Sequence, residues 1–280
     1  MSDHMAEAVP VTAIVLTRDE ERNLPACLDS LRRASQVVVV DSGSTDGTIE
    51  LARSRGCTVV ERPWPGYAAQ RNWAMGHEAV EREWVLFVDA DERVPDDAWE
   101  ELRRFLVAPG ANAGSFRRSV VFLGRQLRHG GFGTARVTRL LRRGKARYAE
   151  RLVHEHPVVE GGVHRFDTPL LHDDRRPFEV WLARHNEYST LEARERAGAG
   201  APPPSGRVSL GVGVKSAIRR RIWPMLPARP LLYFVYVYVL RRGFLDGRAG
   251  LRIASLYGFQ ELCVQIKAEA LAAAPPSAHP

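Results

Sequence analysis

Along the first hundred residues, continuous apolar runs rich in β-branched side chains alternate with stretches in which apolar residues recur every three or four places. The continuous runs read as strands buried on both faces, and the spaced ones as amphipathic helices. On that rule residues 11–17 (VTAIVLT), 37–41, 57–61 and 84–89 are expected as strands, and 23–33, 48–55, 67–77 and 96–107 as helices. Repeated strand–helix units predict an α/β fold with a mostly parallel sheet covered by helices on both faces. Ligands of such sheets bind outside the carboxyl ends of the strands.

From residue 110 to about 174 the helical period disappears, and the mixture of glycines, histidines and β-branched residues predicts shorter, partly antiparallel strands with long loops. A helix is expected over 177–196, and GAGAPPPSG at 198–206 reads as a linker. Residues 207–272 read as a C-terminal helical region rich in arginine and aromatics.

Composition narrows this picture. With 45% hydrophobic and 26% charged residues among 280, the chain buries a sizeable core and is not disordered. Cys27, Cys57 and Cys263 show no paired spacing, so neither a disulfide framework nor a zinc knuckle is expected, in keeping with a reducing cytosol. The polar start MSDHMAEAVP has no signal-peptide pattern, which places the expected chemistry on the cytoplasmic side. The longest apolar run, 231–240, is half the length of a spanning helix. Its flanking arginines and its aromatics suit either a bilayer interface or a helical subdomain packed on the core or on a second subunit. The net charge of +7 suits an anionic partner (nucleic acid, acidic lipid or a diphosphate) and equally a solvated arginine-rich surface.

Two strand ends carry candidate chemistry. WVLFVDADERV delivers Asp89, Ala90 and Asp91 at the end of a buried strand, where paired carboxylates can hold a hard divalent cation against a diphosphate. VVVVDSGSTDGT delivers Asp41 and Ser42 into a turn before a helix whose N-cap is expected at Ser44, Thr45 or Asp46. An EF-hand is excluded there by the offsets of its glycine and glutamate.

TAIVLTRDEERNL, VVVVDSGSTDGT, GYAAQRNWAM and FVDADERV, in this order and spacing, resemble the signature blocks of family-2 inverting glycosyltransferases, most closely the lipopolysaccharide-core β-glucosyltransferase subgroup. The resemblance implies a GT-A, Rossmann-like catalytic domain over 11–197, with a nucleotide-sugar half at 11–108 and an acceptor half at 109–197. It implies that Thr17 and Glu20 line the nucleotide pocket and that Asp41 contacts uracil, with Ser42 beside it. Gln70, Arg71 and Asn72 are expected to approach ribose and diphosphate, Asp89 and Ala90 to lie near ribose and metal, and Asp91 to bind Mg or Mn. Arg18 and Asp19 depart from the usual Asn before the Glu pair.

An inverting transferase also needs a base for the acceptor hydroxyl. The subgroup carries a His-Glu pair resembling His154-Glu155, which makes Glu155 the expected base, with Glu150, Asp173 and Asp174 as rivals. His154 and His156 lack further ligands at zinc spacing, and His172 is a candidate metal or phosphate ligand. A nucleotide-sugar donor and a glycan or glycolipid acceptor follow from the resemblance. If the tail is interfacial, an anionic membrane surface joins them as a partner, at the inner face of the plasma membrane. An aspartyl phosphatase would place its acidic pair on the first strand, and a nucleotidyltransferase would need a glycine-rich loop that TRDEERN lacks. A nucleic-acid-binding module remains the non-enzymatic alternative, though no recognition motif is present and nucleic acid is not the expected partner.

Overall fold

The computed structural model describes residues 8–149, 157–196, 226 and 228–273. The chain forms two units: Met1–Leu127 with Phe132–Ala149 and Glu155–Arg176, and Arg128–Gly131 with Glu150–His154 and Pro177–Pro280.

The first unit is built on strands β1 (Val9–Thr17), β2 (Ala34–Asp41), β3 (Thr58–Glu61) and β4 (Trp84–Asp89), all parallel and in the order β3-β2-β1-β4. Helices α1 (Leu24–Ser30), α2 (Thr48–Ser54) and α3 (Tyr67–Gly76) connect them, and α4 (Asp96–Val107) follows β4. Alternation along the strands separates two apolar layers. Val11, Ala13 and Val15 pack with Leu24, Cys27 and Leu31 of the α1 region and Trp99 and Leu102 of α4. Ile14, Val38, Val40 and Phe87 pack on the other face with Ala68, Ala74 and Met75 of α3. The sheet is covered on both faces, as the unbroken apolar runs require.

Two boundaries differ from the sequence expectation for a polar reason. Strand β2 begins at Ala34, ahead of its apolar run, because Ser35 Oγ donates to Val9 O and Gln36 Oε1 accepts from Thr12 Oγ1. Helix α1 stops at Ser30, where Leu31 N–H turns back to Leu28 O and Ala34 N–H to Leu31 O.

Beyond β4 the sheet becomes mixed. The later strands are β5 (Glu92–Arg93), β6 (Ala113–Phe122), β7 (Arg125–Leu127), β8 (Arg136–Arg142), β9 (Ala146–Tyr148), β10 (Pro157–Val159), β11 (Val163–Arg165) and β12 (Leu170–Asp173). The order continues β4-β8-β6-β12-β5, with β4-β8, β8-β6 and β12-β5 antiparallel and β6-β12 parallel. Pairing of His172 with Glu92 and of Leu171 with Arg93 carries β12 to the segment that follows Asp89.

The second unit is helical: α5 (Phe178–Arg196), α6 (Arg229–Val235) continuing into a π-turn (Tyr236–Leu240), a 3-10 turn (Gly243–Asp246), and α7 (Gly247–Ala273). Both α5 and α6 pack on α7. Arg196 donates to both carboxylate oxygens of Glu261 at 2.8 and 3.0 Å, and Lys267 Nζ donates to Asn186 O, Ser189 Oγ and Thr190 Oγ1. Among the described residues no helix is long and apolar enough to cross a membrane.

Candidate active site

The parallel strands end level with one another: Thr17 lies beside Asp41, and Leu16 beside Asp89. At the β2 tip the Asp41 carboxylate is fully buried and organises the turn after it. Thr17 Oγ1 donates to Oδ2 at 2.8 Å and Ser44 Oγ to the same oxygen at 2.5 Å; the Gly43 and Ser44 N–H groups donate to Oδ1 at 2.9 and 2.8 Å. Gly43 sits at φ +87, a conformation that a Cβ strains, which is why this turn carries glycine. Helix α2 takes Gly47 as its N-cap, not Ser44, Thr45 or Asp46. Asp46 stands one residue further out and accepts from the Thr48 N–H at 3.1 Å and from Glu21 N–H at 3.2 Å, tying the turn to the loop after β1.

Ser42 Oγ accepts from Gln70 Nε2 at 3.3 Å, and Gln70 Oε1 is buried with no hydrogen-bond partner among the described residues. Asn72 is committed elsewhere: it accepts from Tyr148 N–H at 2.7 Å and donates to Tyr148 O at 2.9 Å, bracing β9 against α3. Arg71, between them, donates to Asp89 Oδ1 at 3.1 Å.

Asp89, expected beside Asp91 as a second metal carboxylate, has its oxygens on two guanidinium groups. Arg139 of β8 bonds its Oδ2 and also Glu92 Oε1, the latter at 2.6 Å, while Arg71 takes Oδ1. Burial opposes ionisation of Asp89, but Arg139 and Arg71 outweigh it and hold its pKa below the usual carboxylate value. For Glu92, fully buried behind it, burial prevails over Arg139 and the pKa is raised. Ala90, between the two aspartates, is buried in the layer that holds α1 and α4.

Asp91 faces a different set. His172 Nδ1 lies 3.2 Å from its Oδ1, and Arg176 Nη2 lies 3.8 Å from its Oδ2. Burial disfavours the charged imidazole, yet the Asp91 carboxylate prevails and raises the His172 pKa. Arg176 also donates to Glu20 Oε1 at 2.8 Å and grips Asp174 through Nε and Nη2 at 2.9 and 2.7 Å. Asn23 completes the lattice, donating to Glu20 Oε2 at 2.8 Å and Asp174 Oδ1 at 3.0 Å. Of the rival bases, Asp174 is thus engaged by Arg176, and Asp173 pairs with Arg93 at 2.8 Å. Glu155, with Glu150, His154 and His156, lies outside the described residues.

The chemistry of Asp91 and His172 fits a divalent cation. His172 Nδ1 is buried and stands 3.2 Å from an Asp91 carboxylate oxygen, an O/N donor pair suited to manganese and tolerable for magnesium once the imidazole is neutral. Among the described residues no three acidic, histidine or cysteine side chains form a cage. Cations that serve diphosphates take one or two protein ligands and complete their shell with phosphate oxygens and water.

Sequence reasoning missed Arg139, Glu92, Asn23 and Arg176. Arg139 had a visible signal, a charge inside the apolar strand segment VTRLL, because a charge inside a strand needs a buried partner.

Comparison with known proteins places this arrangement in a family. The family described as Glycosyl transferase family 2 matches residues 12–161, and the chain belongs to it. Over 208 residues it is 36% identical to the lipopolysaccharide core biosynthesis glycosyltransferase LpsC of Rhizobium meliloti, covering 71% of this chain and 76% of that one. An uncharacterized glycosyltransferase of Rickettsia bellii is 34% identical over 93 residues, 33% of this chain and 31% of that one. Among solved structures, S. aureus TarS 1-349 in complex with UDP-GlcNAc aligns over 93% of this chain and 91% of that one, at 16% identity and a TM-score of 0.48. The four sequence blocks therefore identified the family correctly, and the chain is a glycosyltransferase.

Proposed function

We propose that this glycosyltransferase moves a sugar from a UDP-linked donor to a cell-envelope or lipid-linked glycan, with inversion, in a single metal-assisted displacement. The observation that carries the reading is the placement of the Asp91 carboxylate 3.2 Å from His172 Nδ1 at the carboxyl edge of the sheet. Asp91 and His172 would hold a divalent cation, whose chemistry would be to offset charge developing on the departing diphosphate. Arg71 lies within reach of Asp89 at the same edge and supplies fixed positive charge toward the phosphates. The Asp41 turn and Thr17 shape the base pocket, and Gln70, with an open acceptor next to Ser42, takes a ribose hydroxyl. Glu155 accepts the acceptor's proton as the hydroxyl attacks the anomeric carbon from the face opposite the leaving group. The acceptor class rests on the likeness to LpsC.

The test is a panel of nucleotide-sugars with manganese, read first as protection against unfolding and then as product whose anomeric configuration is inverted relative to the donor. Asp91→Asn is expected to abolish metal-dependent turnover and the manganese-dependent part of UDP protection. Glu155→Gln is expected to cut turnover on the order of a hundredfold or more while sparing donor binding. Full activity in Asp91→Asn rejects the metal assignment, and full activity in Glu155→Gln moves the base elsewhere.

A further inference from the structure

We infer that the helical unit docks on an anionic lipid bilayer, laying α6, the π-turn and the 3-10 turn into the interface of one leaflet. This inference stands apart from the sugar-transfer chemistry and rests on how the unit distributes its side chains.

A helical hairpin stable in water hides its large apolar side chains and exposes its small and polar ones. Here α6 and the turns after it instead expose a run of large apolar side chains. Leu231, Leu232, Val235, Tyr236, Val239 and Leu240 are exposed and recur at i, i+1, i+4, i+5, i+8 and i+9, so they form one continuous stripe; Leu240 is 69% and Leu231 61% exposed. Phe244 and Leu245 extend it through the 3-10 turn. The buried side of α7 under α6 and the 3-10 turn carries Gly250, Ala254 and Gly258 at four-residue spacing. A Cβ at Gly250 would meet Gly243 O at 1.9 Å, and one at Gly258 would meet Pro230 O at 3.0 Å. Small residues pack backbone against backbone and leave the bulky side chains to face outward, the arrangement of helices in an apolar phase.

Charge selects the occupant. From Arg229 to Gln260 the sequence holds five arginines and one acid, Asp246. That acid is buried, accepting from the Arg128 and His129 N–H groups with the His129 ring at 3.0 Å. Arg242, Arg248 and Arg252 are exposed. A second copy meeting this stretch face to face would bring arginine against arginine, because Asp246, the acid within it, is buried. A surface of lipid phosphates supplies both the apolar phase and the counter-charge, and the tyrosines place an apolar ring and a polar tip at headgroup depth. The twelve residues Arg229–Leu240 reach about 18 Å, short of the roughly 30 Å hydrocarbon core, so the segment lies in the interface instead of spanning.

The full chain is floated with vesicles of phosphatidylcholine with and without phosphatidylglycerol. Wild type is expected to float with the anionic vesicles, less so in high salt, and to stay behind with phosphatidylcholine alone. Leu231→Glu with Leu240→Glu is expected to lower the bound fraction about tenfold or more, and Arg248→Glu with Arg252→Glu to remove the preference for phosphatidylglycerol. In both variants the thermal midpoint and the shift produced by UDP with manganese are expected to match wild type, which separates a lipid failure from a failure of the nucleotide site. Wild type that ignores anionic vesicles overturns the inference, as do leucine variants that bind them undiminished. A concentration-dependent dimer in sedimentation, abolished by Leu240→Glu and unaccompanied by vesicle binding, also overturns it and assigns the stripe to a second copy.

Discussion

Arg139 serves two carboxylates at once, and one of them, Glu92, has no exposure to solvent. Removing one partner of a buried ionic group leaves the other desolvated and uncompensated, at about 3–5 kcal/mol. Arg139→Ala is therefore expected to lower unfolding free energy by about that much in urea titration, whereas Arg142→Ala, whose partner Glu83 is largely exposed, is expected to cost under about 1 kcal/mol. The comparison also shows which residues a sequence reveals. Asp41, Asp89 and Asp91 were legible because each ends an apolar run, and a carboxylate there stands out. Arg176 was not, since nothing in its own neighbourhood indicates that its guanidinium reaches back to Glu20. Asn72, a polar side chain in a recognised block, also has a structural task that its sequence does not show, bonding the backbone of Tyr148.

Among the elements, the four strand–helix units were readable because strands covered on both faces leave an unbroken apolar signature. The stretch after residue 110 was readable only as a class. Strands as short as β7, β9, β10 and β11, three residues each, hold too few side chains to show a period. Contacts from elsewhere hold such segments, and α4 provides one. Glu101 accepts from the Asp167 and Thr168 N–H groups at 2.8 and 3.0 Å and from the Thr168 hydroxyl at 2.5 Å, fixing the turn that launches β12. Burial opposes its charge, but these hydrogen bonds prevail and its pKa falls below the ordinary 4.5. A depressed folded pKa means that the stabilisation is complete above the unfolded value and disappears as pH falls through the folded one. The stability difference between wild type and Glu101→Gln is expected to be present at pH 6 and to shrink steadily below about 4.5, measured by denaturant midpoints across that range. In the helical unit, Gly250→Ala is expected to cost about 1–3 kcal/mol in thermal unfolding, because its methyl group would meet the backbone of Gly243 and the Cβ of Asp246.

For the molecule as a whole, the two units predict two separable activities. UDP with manganese at about a hundred times its dissociation constant is expected to stabilise the protein by about 2.7 kcal/mol. Asp91→Asn should erase the manganese-dependent share of that shift and leave vesicle flotation intact, and the leucine double variant should do the reverse. If Asp91→Asn abolished both, nucleotide and lipid binding would be one coupled event.

The bond from Arg176 to Glu20 joins positions 156 residues apart. During synthesis the first loop leaves the ribosome long before Arg176 is made, so a chain halted earlier lacks the guanidinium that Glu20 is bonded to in the folded protein. The order of translation thus withholds this bond until β12, which ends at Asp173, has been made. On the proposed function, a released chain ending at residue 170 is expected to give no thermal shift with UDP, and the full chain to give one.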